Sequence, residues 1–306
     1  MKTLGDLKTG PARFTPTTGS LDLSSAVAGL RSNREDIKNV RRIDQARHSV
    51  RRFCEIYLAH HFTSGFCEMH YDIFGCVDNP KPGKRVARIA PRQFGKTTII
   101  SLGLPLYMLA YRLKWFILMI GESATTAEAN LATLTQEIET NEMLFADFPH
   151  LAPAMDVRGQ SIKWTDRQLV VKSYATVMAK GMGARMRGLK YRERRPDLAI
   201  LDDPESPETA DTFLKRRRHK RWFGGTFMGL GAKVWDLYVI GNLPHHDCLI
   251  SDLVLNNDTW DGKLYRAINI PTRANERYPI GNTKTDNTSL WPEVWPLEKL
   301  QKYKNE

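Results

Sequence analysis

The sequence predicts an α/β fold: a mainly parallel sheet flanked by helices, with a helical region ahead of it. Two observations carry this. Residues 85–90, 115–120, 197–201 and 233–240 read as strands, and 115–120 is an uninterrupted apolar run of six, the form of a strand buried on both faces. Between them lie segments whose apolar residues recur at helical spacing, and strands alternating with helices are the pattern of a parallel sheet.

Residues 1–25 are rich in Gly, Pro, Thr and Ser and read as a flexible arm. The main domain is expected over 26–270 and begins with a helical region, in which Val40, Ile43, Val50, Phe53, Ile56 and Tyr57 recur at helical spacing. A turn cluster at 78–83 ends it. The strand at 85–90 then feeds a tight loop and an apolar helix running from Thr97 towards Tyr111, which Pro105 kinks or splits. After the strand at 115–120, Thr125 and Glu128 suggest a capping box, with Ala127, Leu131, Leu134 and Ile138 on one helical face. Residues 161–164 and 168–173 read as a hairpin around Thr165, Asp166 and Arg167. The polar stretch 271–306 carries two Trp-Pro pairs, Trp291-Pro292 and Trp295-Pro296, and reads as a small segment or linker leaving the domain.

Composition bounds the function. A chain of 306 residues, 42% hydrophobic, can hold one large domain. No apolar run is long enough to span a bilayer, and the N-terminus has no signal-peptide apolar core, so neither membrane nor secretion is expected. Cys54, Cys67, Cys76 and Cys248 are too few and scattered for a disulfide framework, which reads as a reducing cytosol. Cys54, His60, His61, Cys67, His70 and Cys76 raise the question of zinc, but no paired ligand spacing is present and buried thiols are the preferred reading. The balance of 45 Lys+Arg against 34 Asp+Glu, a formal +11, points to a polyanionic partner.

Two motifs carry chemistry. Pro91, Arg92, Gln93, Phe94, Gly95, Lys96, Thr97 and Thr98 lie between a strand and a helix, and Gly95-Lys96-Thr97 matches the end of a Walker A phosphate loop. Gly95 lets the backbone turn around phosphate oxygens, and the helix N-terminus aims free N–H groups at the anion. Lys96 neutralises the β- and γ-phosphates of ATP, and the Thr97 hydroxyl can ligate Mg2+. Ala90 stands where the motif has its first glycine. Further on, Leu198-Ala199-Ile200-Leu201 delivers Asp202 and Asp203 to a strand end, the form of a Walker B motif. Asp202 is the metal-holding acid, and Asp203 or Glu205 is the general base that polarises the attacking water. Together the motifs read as a P-loop NTPase, and the strand at 115–120 between them fits, by analogy of fold, the ASCE/RecA-like group in which a further strand separates Walker A from Walker B.

Arg92, preceded by Ala90-Pro91, resembles the deviant Walker A of the large terminase subunits of tailed bacteriophages, where the pattern is often Pro-Arg-x-x-Gly-Lys-[ST]-Thr. Further segments follow in the same order. Residues 66–74 resemble the adenine-side segment, with His70 where a Gln or His is usual. Residues 180–188 resemble the glycine-and-arginine loop before Walker B, and Val239-Ile240-Gly241-Asn242 resembles the coupling motif, Asn242 replacing Thr or Ser. The resemblance covers about residues 62–295.

That resemblance implies the ATPase domain of a DNA-packaging motor, translocating double-stranded DNA into a procapsid in the cytoplasm of an infected bacterial host. It implies a portal protein, a small terminase subunit and a homo-oligomeric ring as partners, ATP and Mg2+ as ligands, and Arg92 as an internal γ-phosphate sensor. Arg185 and Arg187 become candidates for a trans-acting arginine or for DNA contact, alongside the basic run 215–221. Large terminases also carry a nuclease domain, and residues 290–306 look like the start of the connecting segment, so nuclease activity is not expected of this chain. The rival readings are another P-loop DNA translocase or helicase-like ATPase, a two-metal nuclease using Asp202, Asp203 and Glu205, and a basic DNA-binding module with a vestigial nucleotide site. The nuclease leaves the phosphate loop without a purpose, and intact Lys96, Thr97 and Asp202 argue against the vestigial site.

Overall fold

A computed structural model describes residues 39–78 and 81–305. The arm read at 1–25 lies outside the described residues, as does part of the turn cluster at 78–83. Residues 42–78 and 81–305 belong to one compact unit.

The sheet has eight strands: β1 Arg85–Ile89, β2 Phe116–Gly121, β3 Trp164–Thr165, β4 Gln168–Val170, β5 Thr176–Gly181, β6 Leu198–Asp202, β7 Asp236–Gly241 and β8 Asp261–Leu264, in the order β3-β4-β5-β2-β6-β7-β1-β8. Every pairing from β5 to β8 is parallel. At the other edge β3 and β4 add antiparallel, and the Trp164–Leu169 and Thr165–Gln168 pairs leave Asp166 and Arg167 as the hairpin loop.

The apolar runs divide by parity, as a strand covered on both faces requires. Ile117 and Met119 of β2 join Leu198, Ile200, Tyr238 and Ile240 on one face. Leu118 and Ile120 join Ala199, Leu201, Leu237 and Val239 on the other. The first face is covered by α1 (Val50–Tyr57), α2 (Glu68–Asp78), α3 (Leu104–Ala110) and α4 (Ala124–Thr140). After α5 (Glu142–Asp147) the chain crosses to the second face, covered by α6 (Phe213–Trp222), a π turn (Phe223–Phe227) and α7 (Leu249–Leu255).

The structure corrects three local expectations. The helical stretch ahead of the sheet restarts at Ser49, whose hydroxyl accepts from Arg52 N and caps α1. Ser123, rather than Thr125, caps α4, accepting from Thr126 N at 3.1 Å, because the chain leaves β2 at Gly121 and the helix starts earlier. Segment 271–306 does not leave the domain. Leu290 and Trp295 are buried in the core beside the sheet, with Trp291 packed against it, before α8 (Leu297–Asn305). Three large apolar side chains cost too much to leave in water. Pro105 deforms its helix rather than ending it: a π turn at Thr98–Gly103 precedes α3, and Leu104 N reaches back to Ile99 O.

Candidate functional site

The parallel strands bring their C-terminal ends to one edge, and the two motifs meet there. Strand β7 stands between them in the sheet, pairing with β1 through Ile89–Gly241 and with β6 through Asp202–Ile240. Strand β2, which separates the motifs in sequence, lies on the far side of β6.

Between β1 and the helix that opens at Lys96, the loop turns through two left-handed residues, Gln93 (φ 61°) and Gly95 (φ 71°). Gly95 is required twice over. Its φ disfavours any Cβ, and a Cβ there would stand 3.3 Å from the His70 ring. The loop edges a cavity of about 540 Å3 lined by Arg92, Gln93, Phe94, Gly95, Lys96, Thr97 and Thr98, and across from them by Glu122, Asp203, Glu205, Ser206 and Asn242.

Lys96 is buried, its Nζ donating to Pro91 O (2.8 Å), Ala90 O (3.1 Å) and Asn242 Oδ1 (3.2 Å). Burial holds its pKa below the ordinary lysine value, opposed by the charges of Asp203 and Asp202. Asp202, at the end of β6, accepts from Thr97 Oγ1 (3.1 Å), Ser101 Oγ (2.7 Å) and Asn130 Nδ2 (3.3 Å). Burial pushes its carboxyl up to about 6, with the neighbouring Asp203 adding to the rise and the two hydroxyls opposing it. Thr97 and Ser101 lie one helical turn apart, which is why both reach one carboxylate.

Asp203 adopts a left-handed φ of 42°, which turns its side chain towards β7. Its Oδ1 accepts from Asn242 N at 2.8 Å, and Oδ2 has no hydrogen-bond partner among the described residues. The close approach needs Gly241, where a Cβ would lie 3.0 Å from Asp203 Oδ1. Asn242 therefore touches Lys96 through its side chain and Asp203 through its backbone.

Glu205 is engaged differently. Its Oε1 meets His219 Nδ1 at 2.9 Å and its Oε2 accepts from Leu249 N at 2.6 Å, tying α6 to the start of α7. His70, expected on the adenine side, is buried under the loop. Its Nδ1 accepts from Cys67 N (2.9 Å) and its Nε2 donates to Phe94 O (2.7 Å), so both ring nitrogens are committed to protein and the imidazole positions the loop. Burial lowers its pKa, consistent with that neutral tautomer. Trp291 packs on His70 and Phe94, while Trp295 stacks on Phe94 (centroids 6.0 Å apart) and donates to Gln93 O.

Arg92 is exposed at the cavity rim. Arg185 and Arg187 are not brought there; they line a separate hollow with Trp222 and Thr226. The run 215–221 divides: Lys215 pairs with Asp211, Arg216 and Lys220 with Asp247, while Arg217 and Arg218 are exposed without an ion-pair partner among the described residues. Sequence reasoning missed Glu122, Ser101, Asn130 and Ser206. Glu122 had a legible signal, since it directly follows a buried parallel strand, where open α/β sheets place ligands.

No protein-family model and no curated protein sequence matches the chain. Among solved structures, a point variant of the large terminase ATPase domain of Thermus phage P74-26 is similar, with a TM-score of 0.43 and 16% identity over 79% of this chain and 87% of that one. The unsubstituted domain gives 0.43 and 15%, over 79% and 86%. Among the described residues, no helix is long and apolar enough to cross a membrane.

Proposed function

We propose that this chain is a Mg2+-dependent P-loop ATPase, the motor domain of a viral DNA-packaging large terminase subunit acting on double-stranded DNA. The observation that carries the ATPase reading is the convergence of Lys96, Thr97, Asp202, Asp203 and Asn242 at one strand edge around a cavity of about 540 Å3. The phosphates of ATP fit against the loop backbone, where Lys96 exchanges its carbonyl partners for phosphate oxygens and Arg92 closes from the rim. Thr97 and Asp202 are the residues that would hold Mg2+, which supplies charge neutralisation at the phosphoryl oxygens. Asp203 is the better placed base: its Oδ2 is open to accept a proton from the attacking water, whereas both oxygens of Glu205 are held by protein donors.

Asn242 supports a coupling role, because it contacts both the γ-phosphate-side lysine and the base. The chain beyond it reaches Asp247, whose carboxylate pairs with Arg216 (3.2 Å) and Lys220 (2.8 Å) of the basic helix α6. Loss of the γ-phosphate returns Lys96 to Asn242 and shifts this segment, and α6 carries Arg217 and Arg218 towards the DNA phosphates. Arg185 and Arg187, exposed and outside the cavity that Lys96 lines, are available to a neighbouring subunit in a ring or to DNA. The portal protein, the small terminase subunit and the host cytoplasm complete this reading.

Mg2+-dependent ATP hydrolysis, measured with and without long blunt duplex DNA, tests it. The expected result is duplex-stimulated turnover that Asp203→Ala loses while nucleotide binding persists, and that Glu205→Gln reduces only through lower stability. Turnover indifferent to duplex DNA would remove the translocase reading, and undiminished turnover in Asp203→Ala would remove the base assignment.

A further inference from the structure

Three carboxylates packed into this fold are matched to permanent cations: Asp147 to Arg42, Asp72 to Arg88 and Lys263, Asp236 to Lys114. Glu137 of α4, like Glu205, faces histidine instead, and it faces two. Its side chain is only 9% exposed, yet it meets His60 and His61, charged only when protonated, and the amide of Asn141. No lysine or arginine pairs with it among the described residues. A buried carboxylate of this kind calls for a compensating cation.

We propose that His60, His61 and Glu137 form a binding site for one divalent transition-metal cation, Zn2+ by its ligand chemistry, which staples the turn after α1 to α4. Both Nε2 atoms lie 2.9 Å from Glu137 Oε1. All three ligand atoms lie within 4.8 Å of one another. Tetrahedral zinc bonds imply ligand–ligand separations of about 3.3 Å, so each nitrogen–oxygen pair need open by only a few tenths of an ångström. Two imidazole nitrogens and one carboxylate oxygen select zinc-type cations over Mg2+ or Ca2+.

The scaffold is built to hold this geometry. His60 and His61 sit on a 3-10 turn, Ala59–His61, tied by His61 N to Leu58 O and Phe62 N to Ala59 O. Asn141 Nδ2 donates to Glu137 Oε2 (3.0 Å) and to Tyr57 O (2.7 Å), fixing the carboxylate's far oxygen to the end of α1 as an outer partner of a metal ligand does. A fourth ligand has room, since His61 also lines a hollow of about 230 Å3 with Thr97, Ser101 and Asn130, polar enough for water. The cysteines are not part of it: Cys54, Cys67 and Cys248 are buried free thiols, and Cys76 contacts Arg88 and Asp261.

The test titrates the chelator-treated full chain with Co2+, with Mg2+ in excess to occupy carboxylate sites that prefer a hard cation, and follows visible absorption. In parallel, thermal melts are recorded with and without Zn2+. Wild type is expected to take up one equivalent of Co2+ with the visible bands of a nitrogen-ligated low-coordinate ion, and to melt higher with Zn2+. His61→Ala and Glu137→Gln are expected to lose both responses. His60→Ala, at a half-exposed position where folding is least at risk, weakens Co2+ binding by at least about tenfold. Absence of stoichiometric uptake by the folded wild type, or uptake unchanged in folded His60→Ala, would overturn the proposal.

Discussion

Asp202→Asn separates the demands of folding from those of the site. Asp202 is 4% exposed, and burial lifts its pKa from an ordinary 3.8 to about 6. The folded protein therefore holds this proton more tightly than the unfolded chain. The charge penalty is absent below pH 3.8, grows as pH rises through the interval to about 6, and is complete above it. A shift of this size corresponds to about 3 kcal/mol at pH 8, and to roughly half that at pH 5. Asparagine removes the charge and keeps an acceptor, while the Ser101 hydroxyl can rotate to accept from its N–H. Without ligand at pH 8 the variant should melt on the order of 5 °C above wild type, with the gap shrinking by about half at pH 5. Mg-ATP should reverse the order, since ligand at a thousand times Kd adds about 4.1 kcal/mol to a protein that binds it, and the variant lacks the carboxylate proposed to hold the metal. Thermal melts across pH, with and without Mg-ATP, read all three effects. A variant that melts at or below wild type at pH 8, or a gap that ignores pH, would refute the reasoning.

Trp295→Ala removes the ring stacked on Phe94 and the donor to Gln93 O, so it should cost about 3–5 kcal/mol in denaturant unfolding and weaken nucleotide binding measured by fluorescence. Arg217→Glu with Arg218→Glu removes two exposed cations of α6 that have no ion-pair partner among the described residues. Duplex DNA affinity, followed by anisotropy across a salt series, should fall, with the salt slope reduced by about 2.

The strand at 116–121 was legible because burial on both faces leaves a run without polar interruption, and the hairpin because polar Asp166 and Arg167 stand as a turn between Trp164 and Leu169. The loop at 91–98 and the strand-end Asp202 stood out in the sequence because both motifs are local. What the sequence hid is non-local. Asp203 and Glu205 are equivalent in sequence and differ only in what folds against them: an Asn242 amide for one, His219 and the start of α7 for the other. Periodicity could not place Trp291 and Trp295, because each is followed by proline in a stretch with no repeat. His70 matched a motif by type, yet its partner is the Phe94 carbonyl, a contact that depends on the tertiary path of the loop. Glu137 lies too far along the chain from His60 and His61 for their meeting to be read from spacing.

The central claim is that Lys96 sits in a phosphate loop that binds and hydrolyses ATP. Mg2+-dependent ATP hydrolysis by wild type beside Lys96→Ala tests it most directly. The account predicts turnover in wild type and none in the variant, whose fold, with Lys96 replaced by a smaller neutral side chain, remains intact by circular dichroism. Wild-type turnover in folded Lys96→Ala would contradict it.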